Sequence, residues 1–152
     1  MTERLLMAAL IGAVLGLERE WRQKTAGLRT NILIAVGTTT LTLMSIELAS
    51  GVQGADPARL AAQIITGIGF LGAGAIMRTD SGVHGLTTAA TVWVNAALSI
   101  AVGGGEYHLA LIGSVVTLSA LLILHPLEVA LDRHIRRPRG QGVSGDERST
   151  GA

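Results

Sequence analysis

The 152-residue sequence contains no cysteine and has few charged or aromatic residues. The absence of cysteine excludes a disulfide, a thiolate nucleophile and a cysteine-based metal site. Charged residues make up 15% of the chain, whereas a soluble domain usually carries about 25%. Aromatic residues make up only 3%, and no basic patch is interleaved with them, so the composition predicts no nucleic-acid partner.

Long apolar runs are what the sequence has in abundance. Hydrophobic residues make up 49% of the chain, and the mean hydropathy is +0.49. A helix that spans a bilayer needs about 20 apolar residues. The charged residues divide the chain into uncharged blocks at 5–17, 30–46, 60–77, 81–105 and 107–127. The sequence therefore predicts an all-α, polytopic membrane protein, a bundle of five transmembrane helices.

We place these spans at about 4–20, 30–50, 60–77, 85–104 and 107–128. The first apolar block also has the length of a signal-peptide core. No Ala-x-Ala cleavage site follows it, and we interpret it as a retained span that includes flanking charged residues. Residues 1–135 then form one membrane domain, and residues 136–152 form a basic tail that we expect to be disordered.

The basic residues predict the orientation of these spans. Only Arg4 and Arg59 lie on one side of the predicted membrane. The ten basic residues on the other side are Arg19, Arg22, Lys24, Arg29, Arg78, Arg133, Arg136, Arg137, Arg139 and Arg148. By the positive-inside rule this second side faces the cytoplasm. The N-terminus is then outside, and the C-terminal tail is cytoplasmic.

The glycine-rich run 67–76, GIGFLGAGAI, contains the pattern Gly-x-Gly-x-x-Gly of dinucleotide-binding folds. That pattern requires an acidic residue about 20 positions further on, where this chain has Val92 and Trp93. Glycines among apolar spans are more typical of close helix packing. We predict that role for Gly12, Gly16, Gly67, Gly69, Gly72 and Gly74. We also expect the run to lie at the centre of the bundle, between the glycines of span one and the polar side chains of span four.

Polar side chains form stripes along two spans. Span four carries Thr87, Thr91, Asn95 and Ser99 at intervals of four, and span two carries Asn31, Thr38, Thr42 and Ser45. Polar groups inside a membrane face other helices or water. Both hydrogen bonding between helices and a path for ions or water remain open. Asn95 is the strongest candidate, because its amide cannot be satisfied within its own helix.

A charged cluster follows span one in the sequence GLEREWRQKTAGLRT, residues 16–30. Glu18, Arg19 and Glu20 lie at the predicted membrane boundary, where ionisable groups are costly and usually functional. The alternative is an exposed helix with Glu18–Arg22 and Glu20–Lys24 ion pairs. Residues two apart on a helix point about 200° apart, so the two glutamates do not share a metal ion. Glu20 with a polar group of another span could hold Mg²⁺, and any metal ligand remains unknown.

Four segments in succession, residues 16–20, 27–30, 67–76 and 85–93, resemble the motifs of the MgtC/SapB family, in the family's order. The resemblance covers about residues 4–130 and implies a bacterial inner-membrane protein with about five spans. It implies, for the MgtC branch, growth under magnesium limitation and inhibition of the F-type ATP synthase. The chain resembles the shorter SapB-like members, which lack the soluble C-terminal domain of MgtC.

The candidate functional residues combine the cluster, the stripes and the motifs. They are Glu18, Arg19, Glu20, Gly27, Arg29, Thr30, Gln63, Thr87, Thr88, Thr91 and Asn95.

From these residues and the resemblance we expect a regulatory protein that acts in magnesium or ion homeostasis, or in energy balance. Such a protein would bind a membrane-protein partner or form a homo-oligomer. The alternative is a transporter or channel for Mg²⁺ or another cation. No motif pairs a nucleophile with a base, so we expect neither an enzyme nor a bound cofactor, and Mg²⁺ enters only as a regulated or transported ion.

Overall fold

The computed structural model describes residues 1–56, 58–80 and 82–135, apart from the side chains of residue 60 and residues 125–135. The helices are α1 Thr2–Trp21, α2 Leu28–Ala49, α3 Ala58–Gly74, α4 Leu86–Gly104 and α5 Tyr107–Ile135. A two-stranded antiparallel hairpin, β1 Met77–Thr79 and β2 Gly82–His84, joins α3 to α4. The helical prediction is confirmed, and the small hairpin was not predicted. The predicted tail, 136–152, lies outside the described residues.

Within the described residues, three helices are long and apolar enough to cross a membrane: α2, α4 and residues 107–124 of α5. The apolar part of α3, Ala61–Gly74, is shorter. Helix α1 has the length to span, but charged side chains at both ends, from Glu3 to Glu20, interrupt its apolar stretch. The number of five spans therefore stays a prediction, although each predicted span coincides with a helix.

Glycines in the left-handed region set both ends of α4. Gly85 precedes the helix with φ +87°, and a Cβ there would collide with the carbonyl oxygen of Ala75. Gly105 ends the helix with φ +95°. The Glu106 N–H donates to the Ala101 carbonyl at 2.8 Å, which is the closure expected after a left-handed glycine. These turns fix the direction in which α4 runs.

Helices α1, α2 and α4 form the packed centre of the first of two compact units, residues 1–118. Helices α2 and α4 run parallel, and α1 runs antiparallel to both. At one end, the Arg4 guanidinium donates to the Gly103 carbonyl at 2.6 Å. Gly12 allows α1 to approach α2 closely, because a Cβ there would lie 2.6 Å from the Asn31 carbonyl oxygen. The second unit, residues 119–152, contains the remainder of α5 among its described residues.

Helix α3 packs against α4 and, over a smaller surface, against α2. Its outer side is open: Phe70 is 82% exposed, and no neighbouring atom lies within 4 Å of a Cβ at Gly67, Gly69 or Gly74. Only Gly72 is in contact range, 3.7 Å from the Ala89 carbonyl oxygen. The predicted place of the glycine run at the centre of the bundle is therefore wrong.

The physical reason is that the polar side chains of α4 turn toward α2 and not toward α3. Asn95 hydrogen bonds to Asn31, and the Thr39 hydroxyl donates to the Ser99 carbonyl at 3.0 Å. Helix α2, and not α3, therefore lies between the glycines of α1 and the polar side chains of α4. Helix α3 lies at the edge and exposes an apolar face.

Candidate functional site

Most of the predicted site residues lie at one end of the bundle, where α1 ends and α2 and α4 begin. We call this the basic end, because four basic residues belong to it: Arg19, Arg22, Lys24 and Arg29. The predicted residues that the fold brings to it are Glu18, Arg19, Glu20, Gly27, Arg29, Thr30, Thr87, Thr88 and Thr91. Asn95 lies midway along α4 and joins this end through its hydrogen bonds to Asn31. Gln63 lies apart from them, exposed on α3.

Two asparagines form the polar centre of this end, and both are fully buried. The Asn95 amide donates to the Asn31 carbonyl at 2.9 Å and to the Asn31 Oδ1 at 3.1 Å. The Asn31 amide in turn donates to the carbonyls of Ala26 and Gly27. Asn95 Oδ1 is buried without a hydrogen-bond partner in the described structure.

Asn31 is the residue that the list of candidates missed. The sequence placed it on a polar stripe, but it did not distinguish Asn31 from the threonines of that stripe. A usable signal was present, since Asn31 and Asn95 are the only asparagines of the chain. A buried amide in an apolar span needs a hydrogen-bond partner on another helix, and two amides can supply this to each other. A threonine hydroxyl does not need such a partner, because it can bond to the backbone of its own helix.

The α1–α2 loop, residues 22–27, is held in one conformation by the polar centre. Gln23 and Ala26 adopt positive φ values of 53° and 59°, which are uncommon for residues other than glycine. The Asn31 amide stabilises this loop geometry, because it donates a hydrogen bond to the Ala26 carbonyl. The strained turn is therefore fixed by a buried side chain of the next helix.

Two further contacts hold the same loop. Glu20 Oε2 accepts a hydrogen bond of 2.9 Å from the N–H of Leu28, the first residue of α2. The carboxylate thus caps the start of that helix, where backbone donors are free and negative charge is favoured. The hydroxyls of Thr25 and Thr88 lie 3.4 Å apart, which connects the loop to α4.

Glu18 and Arg19 form a buried ion pair at the end of α1. Arg19 Nε donates to Glu18 Oε2 at 2.5 Å, and both side chains are at most 5% exposed. Arg22 Nε lies 2.6 Å from Glu18 Oε1 without hydrogen-bond alignment, so its contribution is electrostatic. The expected i,i+4 pair of Glu18 and Arg22 is present. Glu20 bonds to Leu28 and not to Lys24.

The basic end also presents side chains outward. Trp21 is 91% exposed, and Lys24, Arg29 and Thr30 are exposed as well. Within the described part of the chain, neither Lys24 nor Arg29 forms an ion pair. The end therefore combines a fixed polar interior with a free, basic exterior.

The polar stripes are satisfied mostly by backbone carbonyls. Thr91, Thr42 and Ser99 each donate to the carbonyl four residues earlier in their own helix. Among residues 1–56, 58–80 and 82–124, no group of three His, Asp or Glu side chains is arranged to hold a metal ion. The stripes thus act as contacts between and within helices in this conformation.

A groove of about 910 Å³ lies between α2 and α3. The groove lining on α2 includes Thr30, Leu33, Gly37 and Leu41. The lining on α3 includes Gln63, Gly67, Phe70, Leu71, Gly74 and Ala75. Thr25 and Ala26 line the groove at the basic end, and Val92 of α4 contributes to its floor.

The model of the MgtC family matches residues 5–130. The chain is 43% identical over 133 residues to an Escherichia coli K12 protein named "Putative magnesium transporter YhiD", covering 84% of this chain and 62% of that protein. It is 47% identical over 120 residues to the Salmonella typhimurium "Protein MgtC", covering 79% of this chain and 50% of that one. A Synechocystis protein, "Uncharacterized protein slr0014", is 42% identical over 129 residues, or 85% and 54%.

The chain thus spans about half to three fifths of the length of these relatives. No solved structure matches it. The family match and the apolar helices together mark a membrane protein.

Proposed function

Because this chain belongs to the MgtC family, we propose that it regulates magnesium or ion homeostasis, or energy balance, by binding another membrane protein. In this proposal the chain crosses the bacterial inner membrane five times, with its N-terminus outside and its basic end in the cytoplasm. It catalyses no reaction. The F-type ATP synthase, which the family resemblance suggests for the MgtC branch, is one candidate partner.

The observation that carries the proposal is the fixed α1–α2 loop with its free basic exterior. A loop that is already held in one conformation loses little entropy when a partner binds. Tryptophan and arginine are enriched at protein interfaces, and Trp21 and Arg29 are both exposed here. The unpaired charges of Lys24 and Arg29 favour a partner with an acidic cytoplasmic surface.

Within this site the residues have different roles. Arg29 is a contact residue, since it is exposed on the first turn of α2 and has a planar group that binds carboxylates in two places. Glu20 is a positioning residue, since its carboxylate holds the start of α2 through the Leu28 N–H. Lys24 carries a flexible point charge and Arg22 is already engaged with Glu18, so both contribute less to binding.

Alanine substitutions at four positions test this division. We expect Arg29→Ala and Glu20→Ala to abolish most of the growth that the protein supports in low magnesium. Lys24→Ala and Arg22→Ala should retain most of it. Loss of the Glu20 cap costs about 1 kcal/mol and lets the loop move, whereas loss of Arg29 removes a partner contact.

The measurement compares a deletion strain with strains complemented by each variant, and records growth, ATP level and membrane potential together. Protein levels in the membrane must be equal for the comparison. Arg59→Ala, on the opposite side of the predicted membrane, is the control for simple loss of charge. Equal growth of all four variants would mean that the cluster only sets the topology, and the proposal would fail.

A cation transporter is the second candidate, and one structural observation favours it. Asn95 Oδ1 is a buried oxygen with no hydrogen-bond partner in the described structure. Such an oxygen is available to a hydrated cation passing between α2 and α4. The name of the Escherichia coli relative also refers to magnesium transport.

Reconstitution into liposomes separates the two candidates. If the protein conducts Mg²⁺, vesicles that contain it should take up the ion faster than empty vesicles, and Asn95→Leu should reduce this uptake about tenfold or more. We expect no uptake above that of empty vesicles, because no group of three His, Asp or Glu side chains in the described part of the chain is arranged to hold a metal ion. Uptake that depends on Asn95 would overturn the regulatory proposal.

A further inference from the structure

We propose that the groove between α2 and α3 binds an anionic phospholipid. Its acyl chains lie along the groove, and its headgroup lies at the basic end. This site adjoins the proposed partner surface and shares Lys24 and Arg29 with it, but its acyl-chain part is formed by the sides of α2 and α3. The proposed orientation enters only in naming the leaflet, which is the cytoplasmic one.

The length of the groove corresponds to one leaflet of a bilayer. From Thr30 to Leu41 it extends about 17 Å along α2, and from Gln63 to Ala75 about 18 Å along α3. Half of the hydrocarbon core is about 15 Å thick. The groove ends about 12 Å before the last residue of α2, Ala49. A helix that crossed the whole core would continue beside α2 past this point, whereas an acyl chain ends there.

The interior of the groove is apolar, as an acyl chain requires. Its floor includes four members of a buried cluster to which α2, α3 and α4 all contribute: Ile34, Ile64, Ile68 and Val92. Its walls include the exposed side chains of Leu33, Phe70 and Leu71. An acyl chain in the groove would cover apolar side chains that are exposed in the protein alone.

Glycines give the groove its depth. Gly37, Gly67 and Gly74 line it, and no neighbouring atom lies within 4 Å of a Cβ at any of them. A glycine inside a helix is about 1 kcal/mol less favourable than alanine. Close packing within this chain does not explain these three glycines, whereas a molecule seated in the groove does. This contrasts with Gly12, where the neighbouring helix itself fills the space.

Charge complementarity identifies the headgroup as anionic. The groove opens at the basic end between the hydroxyl-bearing residues Thr25 and Thr30. Lys24 and Arg29 are their direct neighbours in sequence, and Arg78 follows the α3 wall by three residues; all three are exposed. Among the residues that the structure describes, no acidic side chain lines the groove. Basic pockets between helices on this side of a membrane attract anionic headgroups, at about 1 kcal/mol for each Lys or Arg.

Native mass spectrometry of the full chain tests the proposal. The protein is purified in mild detergent, stripped of lipid and titrated with phosphatidylglycerol or phosphatidylcholine of the same chain length. We expect the phosphatidylglycerol adduct to exceed the phosphatidylcholine adduct about tenfold at equal lipid concentration. Lys24→Gln combined with Arg29→Gln should remove most of this preference, and adding Arg78→Gln should remove the rest and leave the weaker phosphatidylcholine adduct.

Two leucine substitutions on one helix provide the matched comparison. Gly67→Leu should reduce phosphatidylglycerol binding about tenfold, because the new side chain occupies the groove. Gly69→Leu should bind as the parent does, because Gly69 has equal open space but does not line the groove. Both substitutions favour the helix, so neither should unfold it. Phosphatidylglycerol should raise the unfolding temperature of the parent and of Gly69→Leu, and not that of Gly67→Leu.

Three results would overturn the proposal. Equal binding by Gly67→Leu and Gly69→Leu would place the lipid elsewhere. Equal adducts of the two phospholipids would exclude headgroup recognition. A parent that is a dimer in detergent and becomes a lipid-free monomer on Gly67→Leu would show that a second copy occupies the groove. None of these results depends on a magnesium phenotype, so they leave the regulatory proposal to its own experiment.

Discussion

Asn31→Ala should destabilise the folded protein by about 3 kcal/mol or more, one of the two largest effects expected of a single substitution. The change leaves the buried end of α2 with a small cavity, removes the side-chain donor of the Ala26 carbonyl and deprives the Asn95 amide of one of its two acceptors, whereas the Gly27 carbonyl keeps the N–H of residue 31. Each buried polar group without a partner costs about 1–3 kcal/mol. The left-handed conformation at Ala26 also loses the contact that holds it.

Unfolding in mixed micelles by increasing denaturing detergent measures this loss. Thr40→Ala is the matched control on the same helix, because its exposed hydroxyl donates only to the Val36 carbonyl of its own helix. It should change the stability by less than about 0.5 kcal/mol. A double-mutant cycle with Asn95→Ala isolates the pair, for which we expect a coupling of about 1–2 kcal/mol. If Asn31→Ala is as stable as Thr40→Ala, the asparagine pair does not hold this end together.

The sequence was sufficient to predict the helices and the end at which the site lies. Charged residues separate the apolar blocks near the ends of the helices. This holds however the helices pack, because ionisable groups are costly in a bilayer. The charged cluster, Gly27 and the start of α4 follow helix ends on the same predicted side of the membrane. These segments then come together at one end, because short connections join helices that run in alternating directions. The position of each helix end along the membrane normal therefore follows from the residues next to it in sequence.

The arrangement of helices around one another was not predictable in the same way. Small residues on α1 and α3 give the same pattern in sequence. Those of α1 approach another backbone to within 3 Å of a Cβ, whereas on α3 only Gly72 comes into contact range, 3.7 Å from the Ala89 carbonyl oxygen. The difference lies in the partner surface: α2 presents Asn31 and Ala35 to Gly12, whereas the glycines of α3 at 67, 69 and 74 meet no neighbour. A single sequence shows that a face can be approached closely, and it does not show by what.

The buried ion pair illustrates the same limit at the site itself. The spacing of Glu18 and Arg22 offered an exposed i,i+4 pair as the alternative to a functional boundary cluster. The pair forms, but with the carboxylate buried and shared with Arg19. Burial depends on how closely α2 approaches the end of α1. Gly16 permits that approach, because a Cβ there would lie 2.7 Å from the Leu28 Cα. The electrostatics of the cluster are thus set by a glycine of α1 that carries no charge.

The close approach of α1 and α2 makes Gly12→Ala the other substitution with a large expected effect. Its Cβ would lie 2.6 Å from the Asn31 carbonyl oxygen and 2.9 Å from the Ala35 Cβ. Neither group is the flexible end of a side chain, so the two helices must separate. Separation of α1 from α2 also displaces the Asn31 carbonyl, which accepts a hydrogen bond from the Asn95 amide. We expect a loss of about 3 kcal/mol or more, and a large fall in the amount of protein recovered from the membrane.

Gly69→Ala is the control, because it makes the same chemical change at a helix glycine with no neighbouring atom within 4 Å. Alanine is about 1 kcal/mol more favourable than glycine within a helix, so this variant should be as stable as the parent or slightly more so. Both variants are compared by the same micelle titration and by their yield from membranes. The opposite signs follow from one difference, which is whether another backbone lies against the glycine. Equal stability of the two variants would mean that α1 and α2 are not packed through Gly12, and the arrangement of the basic end would have to be revised with it.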